Sequence, residues 1–228
     1  MRRPVIALVN PNTSGATTGA MVAIASEAAA GRAMIEGLTA PFGAALITGP
    51  AALDTAREAV VALVPALGGA DAVIVAAFGD PGVDELRAAL DVPVTGIAEA
   101  SMAEAARRPP RFAVVTTTPD LRERIAAAAA RHGHGGFLGT HVTPGDPAEL
   151  TANAEALVAA LADACEAAVR DGAEAIVIGG GPLAVAARAL ARTVRVPLVE
   201  PVPAAVRLAL DRLTLDRLAS EPARKPAP

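Results

Sequence analysis

The chain has 228 residues, of which 53% are hydrophobic, 19% are charged and 2% are aromatic, and its formal net charge is −4. This weakly acidic balance, with no long basic run and no Trp or Tyr, excludes a protein that tracks nucleic-acid backbones or stacks bases on aromatic platforms. The single cysteine, Cys165, excludes an internal disulfide framework and a multi-cysteine metal site.

The N-terminal segment predicts neither a secretion signal nor a membrane anchor. Its apolar run covers only residues 5–9 and ends at Asn10, which is too short for the core of a signal peptide. No uncharged apolar stretch reaches the roughly 18–20 residues that a membrane-spanning helix needs. We therefore expect a cytoplasmic protein with no membrane or nucleic-acid partner.

Short β-rich runs alternate with longer Ala-rich stretches along the chain. Near-continuous runs of Val, Ile, Ala and Leu predict four buried strands, at residues 5–9, 72–77, 112–116 and 175–178. Helix candidates occupy about residues 14–32, 51–67, 83–90, 100–107, 121–131, 148–170, 183–192 and 204–213. This alternation predicts an α/β fold with parallel sheets.

Three segments recur in the second part of the chain in the same order, which indicates an internal duplication. The clearest match pairs residues 69–77 with residues 172–180, 103 positions later. The remaining matches pair residues 4–10 with 111–117, and residues 92–94 before Glu99 with 196–198 before Glu200.

The duplication predicts two pseudo-symmetric α/β halves. We expect the first half to comprise residues 1–107 together with a C-terminal helix at about 201–213, and the second to comprise residues 108–200. The remaining residues, 214–228, are proline-rich towards their end, and we expect a disordered tail there.

Four loops follow the predicted strands, and ligands of parallel α/β sheets bind at the carboxyl ends of strands. In the first loop, Asn12, Thr13 and Ser14 can hold a carboxylate or a carbonyl oxygen with help from free amides, or they can simply cap a helix. In the third loop, residues 116–118 are all threonine and offer the same two alternatives, with Thr118 before Pro119 as the cap.

The second and fourth loops are rich in glycine. Gly79 and Gly82 permit a tight turn, and Asp80 before Pro81 suits a helix N-cap better than a catalytic acid. Residues 179–182 are the counterpart and resemble an anion cradle. They lack the Lys-Ser/Thr ending of a P-loop and the spacing of a dinucleotide fingerprint, so we expect no nucleotide site.

Two remaining features predict no metal site and no nucleophile. His132, His134 and His141 form a loose group whose simplest interpretation is a solvated loop, because a metal would need further converging ligands. Cys165 lies inside a predicted helix and is expected to be a small core residue.

Four motifs together resemble the aspartate/glutamate racemase superfamily, with the hydantoin and allantoin racemase branch as the most similar. They are Asn10-Pro-Asn-Thr-Ser14, Phe78-Gly-Asp-Pro-Gly82, Gly96-Ile-Ala-Glu-Ala100 and Gly179-Gly-Gly-Pro-Leu-Ala184. The resemblance covers about residues 4–212. It implies two pseudo-symmetric domains, a small-molecule ligand in the cleft between them, no cofactor, and compatibility with a homo-oligomer.

The resemblance also implies two catalytic cysteines, which exchange protons on opposite faces of a stereocentre. The first family cysteine directly precedes Phe-Gly-Asp-Pro-Gly, where this chain has Ala77, and the second falls on Gly180. Ala and Gly cannot exchange protons, so two-base racemisation is not expected. The ligand-binding positions that carry over, from the loops and their amides, are Asn10, Asn12, Thr13, Ser14, Phe78, Gly79, Thr116, Thr117, Gly180, Gly181 and Pro182.

Carboxylates near the strand ends are the candidates to replace the thiols. Glu99 and Asp80 are the candidate catalytic residues, although Glu99 also fits a supporting role and Glu200 is its pseudo-equivalent. Three hypotheses follow for what the protein does to its ligand, a small hydantoin-like cyclic amide or related carboxylic acid. They are altered chemistry such as water addition, hydrolysis or elimination at the ring; racemisation through bases other than cysteine; and ligand binding without catalysis.

Overall fold

Four runs of branched aliphatic residues form the central strands of two parallel sheets in the structure, a computed structural model that describes residues 2–107 and 111–220. The first sheet has the order β2-β1-β3-β4 and the second the order β6-β5-β7-β8, so the two halves share one topology. The strands are β1 Val5–Asn10, β2 Met34–Thr39, β3 Ala72–Val75, β4 Val94–Gly96, β5 Phe112–Thr116, β6 Phe137–Val142, β7 Ala175–Ile178 and β8 Leu198–Val199. The predicted α/β class and the two parallel sheets are confirmed.

The sequence predicted the inner strands β1, β3, β5 and β7 and missed the outer four. The inner strands are buried almost throughout because helices cover both faces of each sheet, and this burial requires the uninterrupted apolar runs. The outer strands β2 and β6 are mostly half-exposed, and β4 and β8 are only three and two residues long. Such segments carry no distinctive pattern.

Helices connect consecutive strands and cover the sheets. They are α1 Gly15–Ala29, α2 Pro50–Val61, α3 Val83–Ala89, α4 Ile97–Ala105, α5 Arg122–Arg131, α6 Pro147–Ala152, α7 Ala154–Arg170, α8 Ala184–Leu190 and α9 Pro201–Ser220. The predicted helix at 148–170 is wrong in one respect, because Asn153 interrupts it. Its backbone leaves the helical region, and its side chain accepts a hydrogen bond from the amide of Ala156 to begin α7.

The C-terminal helix corrects the predicted tail. Helix α9 continues to Ser220, so residues 214–220 are helical rather than disordered, while residues 221–228 lie outside the described part of the chain. Helix α9 packs against α1, α4 and the strands β3 and β4, which all belong to the first half. The chain thus returns from the second half to the first before it ends.

A continuous apolar core joins the two halves. It contains Leu8 and Ile74 from the first sheet, Phe112 and Val177 from the second, and side chains of α4 and α9 between them. Because burial of apolar surface stabilises folding by roughly 25 cal/mol per Å², this shared core holds the two halves together.

Backbone hydrogen bonds give the register of the internal repeat. The amide of Ala76 donates to Val9 O, and the amide of Gly179 donates to Val115 O, each at 2.8 Å. Ala77 and Gly180 are therefore structural counterparts, as the sequence match at 103 residues predicted. The match of residues 4–10 with 111–117 is wrong by one position, because Val9 corresponds to Val115 and Asn10 to Thr116.

Within residues 2–107 and 111–220, no helix is both long enough and apolar enough to cross a membrane.

The close approach of the two halves predicts the effect of substitutions at two glycines. A Cβ on Gly181 would lie 2.7 Å from Ala76 O and 2.9 Å from Met21 Sδ, whereas a Cβ on the exposed Gly19, inside α1, would contact nothing within 4 Å. We expect Gly181→Ala to lower the free energy of unfolding by about 1–3 kcal/mol. The matched change Gly19→Ala should raise it by about 0.5–1 kcal/mol. Urea denaturation measures both, and equal effects would contradict the contact.

Candidate functional site

A cavity lies where the loops after β1, β3, β5 and β7 converge between the halves. Its empty volume is about 560 Å³ including the open mouth. Its wall is formed by Asn12, Leu46, Ile47, Ala76, Ala77, Phe78, Thr116, Thr117, Thr118, Leu121, Ile125, Thr151, Gly179, Gly180, Gly181, Pro182 and Leu183. The cavity lies at the four strand ends where the sequence predicts a ligand site.

Of the four polar residues predicted in the first loop, only Asn12 lines the cavity. Asn10 is fully buried, and its Nδ2 donates to Asn12 Oδ1, Ser14 O and Thr18 Oγ1 at 2.8–3.1 Å. Ser14 is the N-cap of α1, because its Oγ accepts from the amide of Thr17 at 3.2 Å. The capping alternative thus describes Ser14, and Asn10 organises the loop.

The side-chain amide of Asn12 has one end held and one end free. Its Oδ1 accepts from Asn10 Nδ2 and from the amide of Ser14 at 2.9 Å, which fixes the orientation of the group. Its Nδ2 donates to no atom in the described part of the chain. Because Asn12 lines the cavity, this N–H group is available to a ligand or a water molecule there.

The three threonines after β5 divide the same way. Thr116 Oγ1 donates to Gly179 O at 2.7 Å and lies 3.1 Å from Thr118 Oγ1, so these hydroxyls join the loop after β5 to the loop after β7. Thr118 occupies an N-cap position, but its side chain accepts no backbone amide. The hydroxyl of Thr117 has no partner among residues 2–107 and 111–220, and it lines the cavity.

The two positions at which the family resemblance implies cysteine both lie on the cavity wall. Ala77 comes from the loop after β3 and Gly180 from the loop after β7. The amides of the buried residues Phe78 and Gly181, which follow them, donate to no backbone acceptor among the described residues. The cavity therefore has neutral donors on two sides and no thiol.

Among the described residues that line the cavity, none is Asp, Glu, His, Lys, Arg or Cys. Its polar groups are backbone atoms, one carboxamide and four hydroxyls, and the rest of the wall is apolar. Such a wall can orient a neutral or acceptor-rich ligand by hydrogen bonds. It contains no side chain that takes up or releases a proton near neutral pH.

The candidate catalytic residue Asp80 lies outside this cavity, in a separate groove that Gly79 and Gly82 also line. Its carboxylate accepts from the amides of Ala98 at 2.8 Å and Glu99 at 2.7 Å, at the start of α4. The expectation that Asp80 caps the helix directly after it is wrong, since Gly82 is the N-cap residue of α3. Asp80 instead caps α4, which follows the neighbouring strand. Burial raises the pKa of Asp80 to about 7, although the two amide bonds oppose this rise.

The second candidate catalytic residue, Glu99, is also absent from the cavity wall. Its carboxylate forms ion pairs with Arg212 of α9 at 2.5 Å and with Arg87 of α3 at 2.7 Å. Burial raises the pKa of Glu99, but the hydrogen bond and charge of Arg212, together with Arg87, outweigh it and leave the pKa lowered. An ionised carboxylate held between two guanidinium groups fits a supporting role.

Glu200 is not the structural counterpart of Glu99. Val199 pairs with Val177 as Thr95 pairs with Ile74, so Glu200 corresponds to Gly96, and the predicted pseudo-equivalence of the two glutamates is wrong by three positions. Glu200 lies 3.3 Å from Arg188 Nε, in an ion pair without hydrogen-bond alignment, and it does not line the cavity.

Sequence reasoning missed the apolar side of the cavity. Leu46 and Ile47 come from the loop between β2 and α2, and Leu121 and Ile125 come from the start and first turns of α5. Thr151 of α6 completes this side. The loop after β2 could not be recognised as a strand end because β2 itself was not predicted.

The histidines and the cysteine do not extend the site. His134 packs edge-on against the ring of Phe112, and His141 lies 3.7 Å from Asp171. No group of three or more His, Cys, Asp or Glu side chains that could hold a metal ion occurs in the part of the chain that the structure describes. Cys165 is buried in the core of the second half, and burial raises the pKa of its thiol to about 12.

Sequence comparisons relate this chain to known racemases. A sequence profile described as Asp/Glu/Hydantoin racemase matches residues 6–209. A hydantoin racemase of Paenarthrobacter aurescens is 32% identical over 212 residues, which are 90% of this chain and 89% of that protein.

Solved structures show the same relationship. An allantoin racemase from Klebsiella pneumoniae superposes with a TM-score of 0.88 at 30% identity, over 99% of this chain and 96% of that one. An arylmalonate decarboxylase shares the fold, with a TM-score of 0.65 at 21% identity over 92% of each chain.

The different bonding of neighbouring threonines predicts different effects of one chemical change. Thr116→Val removes the donor to Gly179 O and leaves that carbonyl buried without a partner, so we expect a loss of about 1–3 kcal/mol in the free energy of unfolding. The matched control Thr117→Val removes an unpaired hydroxyl and should change stability by less than about 0.5 kcal/mol. Urea denaturation of both variants decides the point, and a larger loss in Thr117→Val would contradict the assignment.

Proposed function

Because the chain belongs to the Asp/Glu/hydantoin racemase family, we propose that its cavity binds a small five-membered cyclic amide or ureide of the hydantoin type, or a related carboxylic acid, and that its chemistry there is not two-base racemisation. The homologues support an enzyme of the isomerase type. The observation that carries the proposal is a wall of neutral donors and apolar side chains that has no ionisable side chain among the residues described.

The unpaired donors suit a ring with several carbonyl oxygens. Asn12 Nδ2, the Thr117 hydroxyl and the amides of Phe78 and Gly181 have no acceptor within the described residues, and all four residues line the cavity. A hydantoin ring offers two carbonyl oxygens and is flat, so it can accept several of these hydrogen bonds at once. Each such bond gives a ligand oxygen to a donor that has no acceptor within the described protein residues.

The apolar side favours a ligand with an apolar substituent on the ring. Leu46, Ile47, Leu121 and Ile125 have no polar side-chain atom with which to solvate a charge. Free aspartate or glutamate would bring an ammonium and two carboxylates into this cavity, and an unpaired charge loses far more on burial than an apolar group gains. We therefore expect free amino acids to bind in this cavity more weakly than cyclic amides.

The assignment against two-base racemisation rests on residues 77 and 180. Racemisation by proton exchange needs one group to take the proton and a second to return one from the opposite face, each worth about 10²–10⁴-fold in rate. Ala77 and Gly180 offer neither group, and the thiol of Cys165 is buried elsewhere with its pKa raised to about 12.

For the reaction itself, we favour chemistry in which water is a reactant or a product, namely water addition, ring hydrolysis or elimination. The small side chains at 77 and 180 leave room beside the ring, and Asn12 and Thr117 can hydrogen-bond a water molecule there. The sequence-based candidates Glu99 and Asp80 do not line the cavity, so they can support this chemistry only indirectly, through the residues that they hold in place.

Two alternative functions remain, each tied to one observation. The names of the relatives favour a racemase that uses bases other than cysteine. The lack of an ionisable side chain in the described wall favours a protein that binds its ligand without turnover. Exchange of the ligand proton with solvent distinguishes these alternatives.

We predict that the protein binds 5-isobutylhydantoin without accelerating exchange of its C5 hydrogen. Proton NMR in D₂O follows the C5–H signal against a protein-free control, and ligand-observed saturation transfer detects binding. Ring-opened or dehydrated products would support the water chemistry. Exchange faster than the control would show racemisation through other bases. No binding by any of 5-substituted hydantoins, thiohydantoins, allantoin, aspartate and glutamate would overturn the ligand assignment.

Restoring both thiols should create racemase activity. We expect the double variant Ala77→Cys, Gly180→Cys to exchange the C5 hydrogen at least about 10²-fold faster than the parent protein. A Cβ at position 180 would lie 3.1 Å from Leu183 Cγ, so this side chain must shift by a few tenths of an ångström.

Three matched controls accompany the double variant. Each single cysteine variant supplies only one of the two groups, and Ala77→Ser, Gly180→Ser adds similar bulk without a thiol. None of them should approach the double-cysteine rate. A folded, ligand-binding double-cysteine variant that exchanges no faster than these controls would contradict the assignment of the two positions.

A further inference from the structure

The turn at residues 77–82 separates the cavity from the groove behind it. Ala77 and Phe78 line the cavity, while Gly79, Asp80 and Gly82 line the groove. The turn is closed by a hydrogen bond from the amide of Asp80 to Ala77 O at 3.0 Å. A displacement of Asp80 is therefore transmitted directly to the backbone that forms the cavity wall.

The carboxylate of Asp80 fixes this turn to helix α4. Its two oxygens each accept one backbone amide, from Ala98 and from Glu99, at the positive end of the helix. The carboxylate also packs directly on Gly96, where a Cβ would lie only 2.1 Å from Asp80 Cγ. Asp80 adopts a φ of +51°, in the left-handed region that non-glycine residues rarely occupy. An unfavourable backbone conformation persists where surrounding contacts hold it.

We propose that Asp80 is a positioning residue for the cavity. The position of the turn that carries Ala77 and Phe78 then depends on whether the Asp80 carboxyl is ionised, and therefore on pH. The proposal deepens the proposed function, because the site it regulates is the ligand cavity. The physical step is simple. An ionised carboxylate accepts both amides of α4, whereas a protonated one places a hydrogen on one oxygen and weakens one of the two bonds.

The charged groups around Asp80 act on its ionisation in opposite directions. From α4 the Glu99 carboxylate faces it and opposes ionisation, and from α3 the Arg87 guanidinium favours it. Arg212 of α9 reaches the same cluster through Glu99. Burial raises the pKa of Asp80 to about 7, so both protonation states are populated near neutral pH. The other charged or titratable side chains of the groove are Asp54, Arg57, Asp84, Glu85, Arg124, Arg131 and His132.

The direction of each expected effect follows from this geometry. Because the pKa of Asp80 is raised by folding, its contribution to stability is full below pH 4 and is lost as the pH rises to about 7. Ligand affinity should change in the opposite direction, because the ionised carboxylate holds the turn in place. We expect the Kd of 5-isobutylhydantoin to rise at least threefold between pH 8 and pH 6.

The chain offers a reporter of the turn that needs no ligand. It contains only four phenylalanines and no Trp or Tyr, so uniform labelling with 4-fluorophenylalanine gives four ¹⁹F signals, from Phe42, Phe78, Phe112 and Phe137. A Phe78→Leu variant assigns the signal of the turn. We expect this signal to titrate with a midpoint near pH 7. A Phe78 signal that does not move between pH 5.5 and 8.5 would overturn the proposal without any further variant.

Two aspartate variants test whether the titration arises from Asp80 or from a neighbouring group. In Asp80→Asn the titration of the Phe78 signal should disappear, and the Kd should lose its pH dependence. The matched control Asp84→Asn, an exposed residue of the same groove whose carboxylate lies 3.7 Å from Arg87, should retain both. If the titration persists in Asp80→Asn, it arises from His132 or another group of the groove, and the proposal is wrong. Phe112 beside His134 supplies an internal comparison, since its signal should respond to histidine ionisation in every variant.

The two readouts keep this proposal separate from the proposed function. If no hydantoin binds but the Phe78 signal titrates only when Asp80 is present, the ligand assignment fails and the positioning role stands. If hydantoins bind the parent protein but its Kd changes with pH no more than that of Asp80→Asn, the ligand assignment stands and the positioning role fails.

Discussion

The close approach of the loops after β3 and β7 is the constraint on which the rest of the site depends. Gly181 packs against Ala76 O with no room for a side chain, and Gly179 lies so near Val114 and Phe78 that a Cβ would come within 2.7 and 3.3 Å of them. Two sheets can bring their carboxyl ends together at this distance only if the joining residues are small. The cavity is the space that remains beside this contact, and the shared apolar core keeps that space constant.

Polar groups around the cavity fall into two sets with different roles. Asn10, Ser14, Thr116 and Asp80 use their side chains on the protein itself, and together they hold the loops after β1, β3 and β5 in place. Asn12 and Thr117 stand beside members of this set and keep a free donor. A rigid first set makes the second effective, because a ligand then gains hydrogen bonds without having to order the loops that provide them.

The sequence predicted the parts of this molecule that local pattern determines. Buried inner strands require long apolar runs, and glycine or short polar residues mark the turns after them, so the four loops of the site were found. The sequence does not show in which direction a side chain points, so it could not distinguish Ser14, which caps a helix, from Asn12, which lines the cavity. Long-range pairing was also beyond reach. The role of Glu99 depends on Arg212, which is 113 positions away, and the role of Asp80 depends on helix α4 rather than on the helix that follows it in the chain.

A described cavity wall without ionisable side chains has a consequence for any chemistry that occurs there. A thiol or imidazole in the wall would impose its own titration on the reaction, but neutral donors keep the same charge across the physiological pH range. Any pH dependence must then come from the ligand or from groups behind the wall. Asp80 is such a group, since it bonds to the backbone of the cavity turn on one side and to the start of α4 on the other. In this fold, the residue that responds to protons is thus separated by one turn of backbone from the surface that recognises the ligand.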